Sequence, residues 1–130
     1  MRIGLISDTH LPTMSSRLHP AVAEVFRGVD MILHAGDLTG YELLETLEKI
    51  APVYAVRGDQ DRGLDHLPKR RVIEAGRKRI GLVHGHRPRW IEWPGSTWNM
   101  LFGQHFFLAP RFYVNVVRQF AGDQVDCIVC

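Results

Sequence analysis

Several kinds of feature are missing from this chain, and each absence excludes something. No stretch reaches the run of about 18 apolar residues that a membrane-spanning helix needs, and no charged region followed by an apolar one opens the sequence. The expectation is a soluble cytoplasmic protein without a membrane partner. Cysteine is scarce: Cys127 and Cys130 are the only two, spaced C-x-x-C. A zinc knuckle needs a second ligand pair, and none is spaced for it. A redox C-x-x-C normally opens a helix, whereas Val125–Cys130 reads as a buried strand, and nothing demands an oxidising compartment. Charge of one sign is also scarce, with a net charge of +2. The basic stretches Lys69-Arg70-Arg71 and Arg77-Lys78-Arg79 are short and adjoin strand patterns, so no nucleic-acid partner is expected.

What is present is ordinary globular material. Apolar residues make up 45% and charged residues 23%, which argues against disorder, and 130 residues fit one domain. Arg2–Ser7 reads as a buried strand. Pro20 opens a helical pattern to Arg27 that places Val22, Val25 and Phe26 on one face, with Gly28 as its stop. Met31–Leu33 is a second buried strand. Tyr41–Ile50 carries an apolar stripe of Leu43, Leu44, Leu47 and Ile50, ended by Pro52. Val53–Val56 is a third strand. Strand, helix, strand, helix, strand at this spacing predicts a parallel sheet with right-handed crossovers. Arg70–Ala75 and Lys78–His84 flank Gly76-Arg77 as a hairpin.

Residues 87–122 differ in character. They hold nine of the twelve aromatics, including Trp90, Trp93 and Trp98. Helices are expected from Gly95-Ser96 to Leu108 and from Pro110 to Phe120. Either they pack on the sheet, or the segment forms a lid, a homodimer surface or a membrane-facing patch.

The apolar runs end in similar ways. Asp8 and His10 follow the first strand, Asp37 follows Gly36 after the second, and Asp59 follows Gly58 after the third. His84 precedes Gly85 at the end of the hairpin's second arm. In a parallel sheet with crossovers, ligands gather beyond the carboxyl ends of the strands. Carboxylate oxygens and imidazole nitrogens converging there suit two divalent ions, about 3.5–4 Å apart, that polarise a phosphoryl group and ionise a water for in-line attack.

Four motifs, Ser7-Asp8-Thr9-His10, Ala35-Gly36-Asp37, Arg57-Gly58-Asp59-Gln60-Asp61 and Val83-His84-Gly85-His86, resemble the first four of the calcineurin-like metallophosphoesterases. The closest likeness is to the small bacterial and archaeal phosphodiesterase branch, which includes the retromer scaffold subunit. The resemblance implies a four-layer αββα sandwich and a divalent-metal-dependent phosphoesterase, with phosphodiesters as substrates and a metal-bridging water as nucleophile. Asp8 and His10 would hold the first ion, Asp37 would bridge, and Asp59 and His84 would hold the second. His86 would face phosphate as a catalytic group, or merely pack beside the site. Arg57 would meet substrate phosphate, or end its strand as a solvated charge. His34 reads as a supporting or core residue. Manganese is favoured over iron, nickel, zinc and magnesium.

Three departures qualify the resemblance. Asp59 stands where the family usually has Asn, as it also does in the retromer subunit. Gln60 cannot transfer a proton where many of the enzymes have His or Cys, which favours good leaving groups. The family's fifth motif, Gly-His-x-His, would follow a strand such as Val125–Cys130, and the sequence ends there. The expectation is therefore a sandwich with its C-terminal strands missing and an incomplete ligand set. The rival reading is a non-catalytic scaffold or protein-binding module on the same fold.

Overall fold

A computed structural model describes residues 1–12, 17–85 and 109–130, with the side chains of 109–112 left aside. The chain divides into two compact units, Met1–His84 with Val125–Cys130, and Gly85–Gln124. The larger unit contains two three-stranded sheets. The first has the order β1 (Ile3–Ile6), β2 (Met31–His34), β3 (Val53–Ala55) and is parallel throughout. The second is built from β4 (Arg70–Ala75), β5 (Lys78–Val83) and β6 (Cys127–Val129). Its β4–β5 hairpin is antiparallel, and β6 joins β5 in parallel. The predicted crossover sheet and hairpin are thus both found.

Alternation along the strands sorts side chains between two cores. Ile32 of β2 and Ala55 of β3 face a cluster completed by Phe26, Leu38, Leu43, Leu44 and Leu47. Met31, Leu33, Ala35 and Val56 face the other way and meet Ile73, Ile80 and Leu82 of the second sheet. Helices, sheet and sheet thus form successive layers. β2 is buried on both faces, as a central parallel strand should be. Each fully buried leucine or isoleucine here contributes about 2–3 kcal/mol by leaving water.

The first helix, α1, spans Pro20–Val25. His19 caps it, Nδ1 accepting from the Ala21 amide at 3.2 Å, and Pro20 stands at its first position. Phe26 lies over Gly4, where an added Cβ would stand 3.1 Å from the ring. The second helix, α2, spans Tyr41–Glu48 and buries Leu43, Leu44 and Leu47. A third, α3 (Ala109–Arg118), lies in the smaller unit, which buries Val116 and Phe120. Among the described residues, no helix is long and apolar enough to cross a membrane.

Three expectations are corrected. Val25 does not share the core face of Phe26 but is 68% exposed, because the helix ends there and the chain turns away. Among the described residues β1 stands at the edge of its sheet, and its Leu5 is 54% exposed although the Leu33 beside it is fully buried. The last strand is shorter than Val125–Cys130 and not fully buried: among the described residues it too stands at an edge, Cys127 is exposed, and Ile128 and Val129 are half-buried. The expected helix ending at Leu108 and the three tryptophans of the expected dimer surface lie outside the described residues.

Candidate metal centre

The site forms where the first sheet's strands run out. The ladder between β1 and β2 continues past the strands, with the Asp8 amide donating to the Gly36 carbonyl, His10 to Asp37 and Leu11 to Leu38, each at 3.0 Å. The two loops therefore travel together. Among the described residues, every non-glycine with positive φ lies in them: Asp8 at 52°, His10 at 47°, Asp37 at 55° and Thr39 at 66°. Such conformations cost a side chain about 1–2 kcal/mol each and cluster where function holds them.

These turns bring Asp8, His10 and Asp37 to one point, with one ligand atom of each within 4.8 Å of the others. His10 Nε2 stands 4.0 Å from Asp8 Oδ1 and 3.8 Å from Asp37 Oδ2. Those separations are too long for hydrogen bonds. They match ligands of one ion, since two donors each about 2.1 Å from a metal stand about 3–4 Å apart. Carboxylate, carboxylate and imidazole form a mixed donor set that fits manganese, iron or zinc.

His84, at the end of β5, approaches from the second sheet. Its Nδ1 lies 2.8 Å from the Ala35 carbonyl, which can only accept, so Nδ1 carries the proton. In the neutral ring the lone pair is then on Nε2, which stands 3.7 Å from Asp37 Oδ1. A carbonyl that fixes the tautomer in this way is the usual support of a metal-binding histidine. Gly36, at φ 100°, makes room for this approach, because a Cβ there would stand 2.7 Å from His84 Nδ1.

The remaining predicted residues are placed differently. Asp59 is exposed and outside the three-residue cluster. Arg57 is paired through its guanidinium with exposed Asp65. His86 lies outside the described residues. His34 is fully buried beneath the site, Nδ1 accepting from the Gly36 amide at 3.2 Å and Nε2 meeting Thr9 Oγ1 at 3.1 Å. Burial lowers its pKa to about 4, so it is neutral at physiological pH, as an acceptor for an amide must be.

Asp61 is a site residue that local sequence pattern does not single out. It is 4% exposed and takes three backbone amides from two loops: Asp37 at 3.0 Å, Thr39 at 2.7 Å and Gly58 at 2.7 Å. The Gln60 amide in turn donates to Asp37 Oδ1 at 2.8 Å. Its signal in the sequence was its place at the end of the Arg57–Asp61 motif, which by local pattern alone reads equally as a solvated turn.

The calcineurin-like phosphoesterase superfamily domain matches residues 1–109. The chain belongs to that superfamily. It is 48% identical over 87 residues to a protein of Methanothermobacter thermautotrophicus named probable metallophosphoesterase, covering 65% of this chain and 50% of that one. A protein of the same name from Methanocaldococcus jannaschii is 42% identical over 85 residues, covering 65% and 43%. The chain thus spans about half the length of these relatives. Among solved structures, Vps29 of Entamoeba histolytica complexed with zinc is 29% identical with a TM-score of 0.57, over 78% of this chain and 59% of that one. An archaeal phosphodiesterase shares the fold at 21% identity and TM-score 0.55, over 75% of this chain and 67% of its own. The fold is that of the metallophosphoesterases.

Proposed function

We propose that the chain carries the metal-holding part of a divalent-metal-dependent phosphoesterase whose substrates are phosphodiesters. The observation that carries this reading is the meeting of Asp8, His10 and Asp37 around one gap of metal-ligand dimensions. Asp8 and His10 are assigned to a first ion, Asp37 to a bridge, and His84 and Asp59 to a second ion, manganese being favoured. When bound, such ions polarise a phosphoryl oxygen and lower the pKa of water.

The chain's own residues prepare that chemistry. The Gln60 amide holds Asp37 Oδ1, and the Ala35 carbonyl sets the His84 tautomer. Arg57 meets a phosphate by exchanging its Asp65 partner, and His86 is assigned to face the phosphoryl group. Because Gln60 supplies no proton, an aryl phosphodiester is the expected best substrate.

Manganese titration and hydrolysis of bis(p-nitrophenyl) phosphate test the proposal. Turnover is expected with manganese, and Asp37→Asn is expected to lower metal affinity at least about 100-fold. Unchanged turnover in that variant, or in chelator-stripped protein, overturns it. The likeness to zinc-complexed Vps29 and the exposure of Asp59 favour one alternative, a scaffold on the same fold. Metal binding without turnover on any phosphoester supports that alternative.

A further inference from the structure

We infer that Asp61 is a positioning residue. Its carboxylate locks the loops after β2 and β3 together and so holds the Asp37 carboxylate between His10 and His84. The inference deepens the phosphoesterase reading and rests on it for the role of Asp37.

The geometry is reciprocal. Asp61 Oδ2 accepts the Asp37 amide at 3.0 Å and the Gly58 amide at 2.7 Å, and Oδ1 accepts the Thr39 amide at 2.7 Å. Going the other way, Asp37 Oδ1 accepts the Gln60 amide from Asp61's own loop at 2.8 Å. Each acid thus pins the backbone of the other's loop. Two of the three amides held by Asp61 belong to Asp37 and Thr39, whose φ angles of 55° and 66° are unfavourable for side-chain-bearing residues. Bonds from amides to an ionised acceptor are about twice as strong as neutral ones, so this buried carboxylate is well placed to offset that strain. The loops are also in contact at Gly58, where a Cβ would land on the Asp37 amide and carboxylate.

Only a carboxylate satisfies three converging donors, because it accepts at both oxygens and donates at neither. In Asp61→Asn one of the two positions becomes an NH2 group facing a backbone N–H. At least one bond is lost there and two donors are set against each other. Asp61 makes no hydrogen bond or ion pair with His10 or His84, so its effect on them passes through Asp37.

The test uses the full chain, first without metal. In wild type, the Asp37, Thr39 and Gly58 amides should exchange slowly with deuterium although they lie in loops. In Asp61→Asn, folded by circular dichroism, these amides should exchange faster, and the imidazole 15N resonances of His10 and His84 should shift. A loss of thermal stability alone, with imidazole resonances unchanged, overturns the inference. If the variant does not fold, wild-type exchange decides: any one of the three amides exchanging at the rate of an unprotected chain overturns it. With manganese, the variant's affinity should fall about 10–100-fold. In the Asp37→Asn background the same change should have no further effect. Wild-type protein that binds no metal sinks the phosphoesterase reading, while the metal-free measurements still decide the role of Asp61.

Discussion

The β4–β5 turn and the loops after β1 and β2 solve the same steric problem in opposite ways. The hairpin turns through Gly76 at φ 66°, and an added Cβ there would meet nothing within 4 Å. The chain needs only a change of direction at that point, and glycine provides it without strain. The loops after β1 and β2 place Asp8, His10, Asp37 and Thr39 in the same region of backbone space. Glycine would relax all four, but three of those positions would then lose a ligand atom. The difference separates backbone bent for connection from backbone bent for chemistry.

The sharpest way to break the comparison is to add one methyl group where the site loops meet. Gly58→Ala drives a Cβ into the Asp37 amide and carboxylate, and should cost more than about 3 kcal/mol in urea unfolding. A small effect would mean the two loops are not locked.

A pH titration of stability comes next. His34 has a folded pKa of about 4 against 6.5 when unfolded. Between these values the unfolded state binds more protons, so stability should rise with pH. Its contribution, about 3 kcal/mol, is complete above pH 6.5, lost progressively as pH falls to 4, and constant below. The slope should fall in metal-free His34→Phe, and an unchanged slope would assign it to other titrating groups instead.

Asp8→Gly should do something unusual for a site mutation. The residue is exposed and left-handed, so its replacement should raise the melting temperature, by about 1 kcal/mol in stability, while weakening metal binding. Equal loss of both would show that the conformation carries no strain. The smallest effect belongs to the hairpin. Gly76→Asn should cost less than about 0.5 kcal/mol and leave metal affinity unchanged, since Asn tolerates this backbone conformation.

Much of the fold could be read from local pattern. The stripe of Leu43, Leu44 and Leu47 and the continuous burial of Met31–His34 follow from periodicity and sheet position. Asp8, His10 and Asp37 were legible as polar residues placed just past apolar runs. The exposure of Leu5 and Val25 was not legible, because an apolar side chain carries no record of whether another element covers it. Nor were the Ala35 carbonyl under His84 and the three amides on Asp61. Those are contacts over 49, 24, 22 and 3 residues of sequence, and backbone groups carry no side-chain identity to read.

The position of β6 has a consequence for the order of assembly. Its three residues pair with β5 across the intervening residues 85–124, a separation in sequence whose closure entropy a short ladder must overcome. Asp126 assists, its carboxylate meeting the Lys78 amine at 2.7 Å and the Arg79 amide at 2.8 Å. The β4–β5 hairpin closes through Gly76-Arg77 and needs no such detour. β6 is therefore expected to be the last strand to pair. A three-residue ladder of this kind is expected to open before β4, β5 and the parallel sheet do, read as faster amide exchange at Cys127–Val129 than along β5.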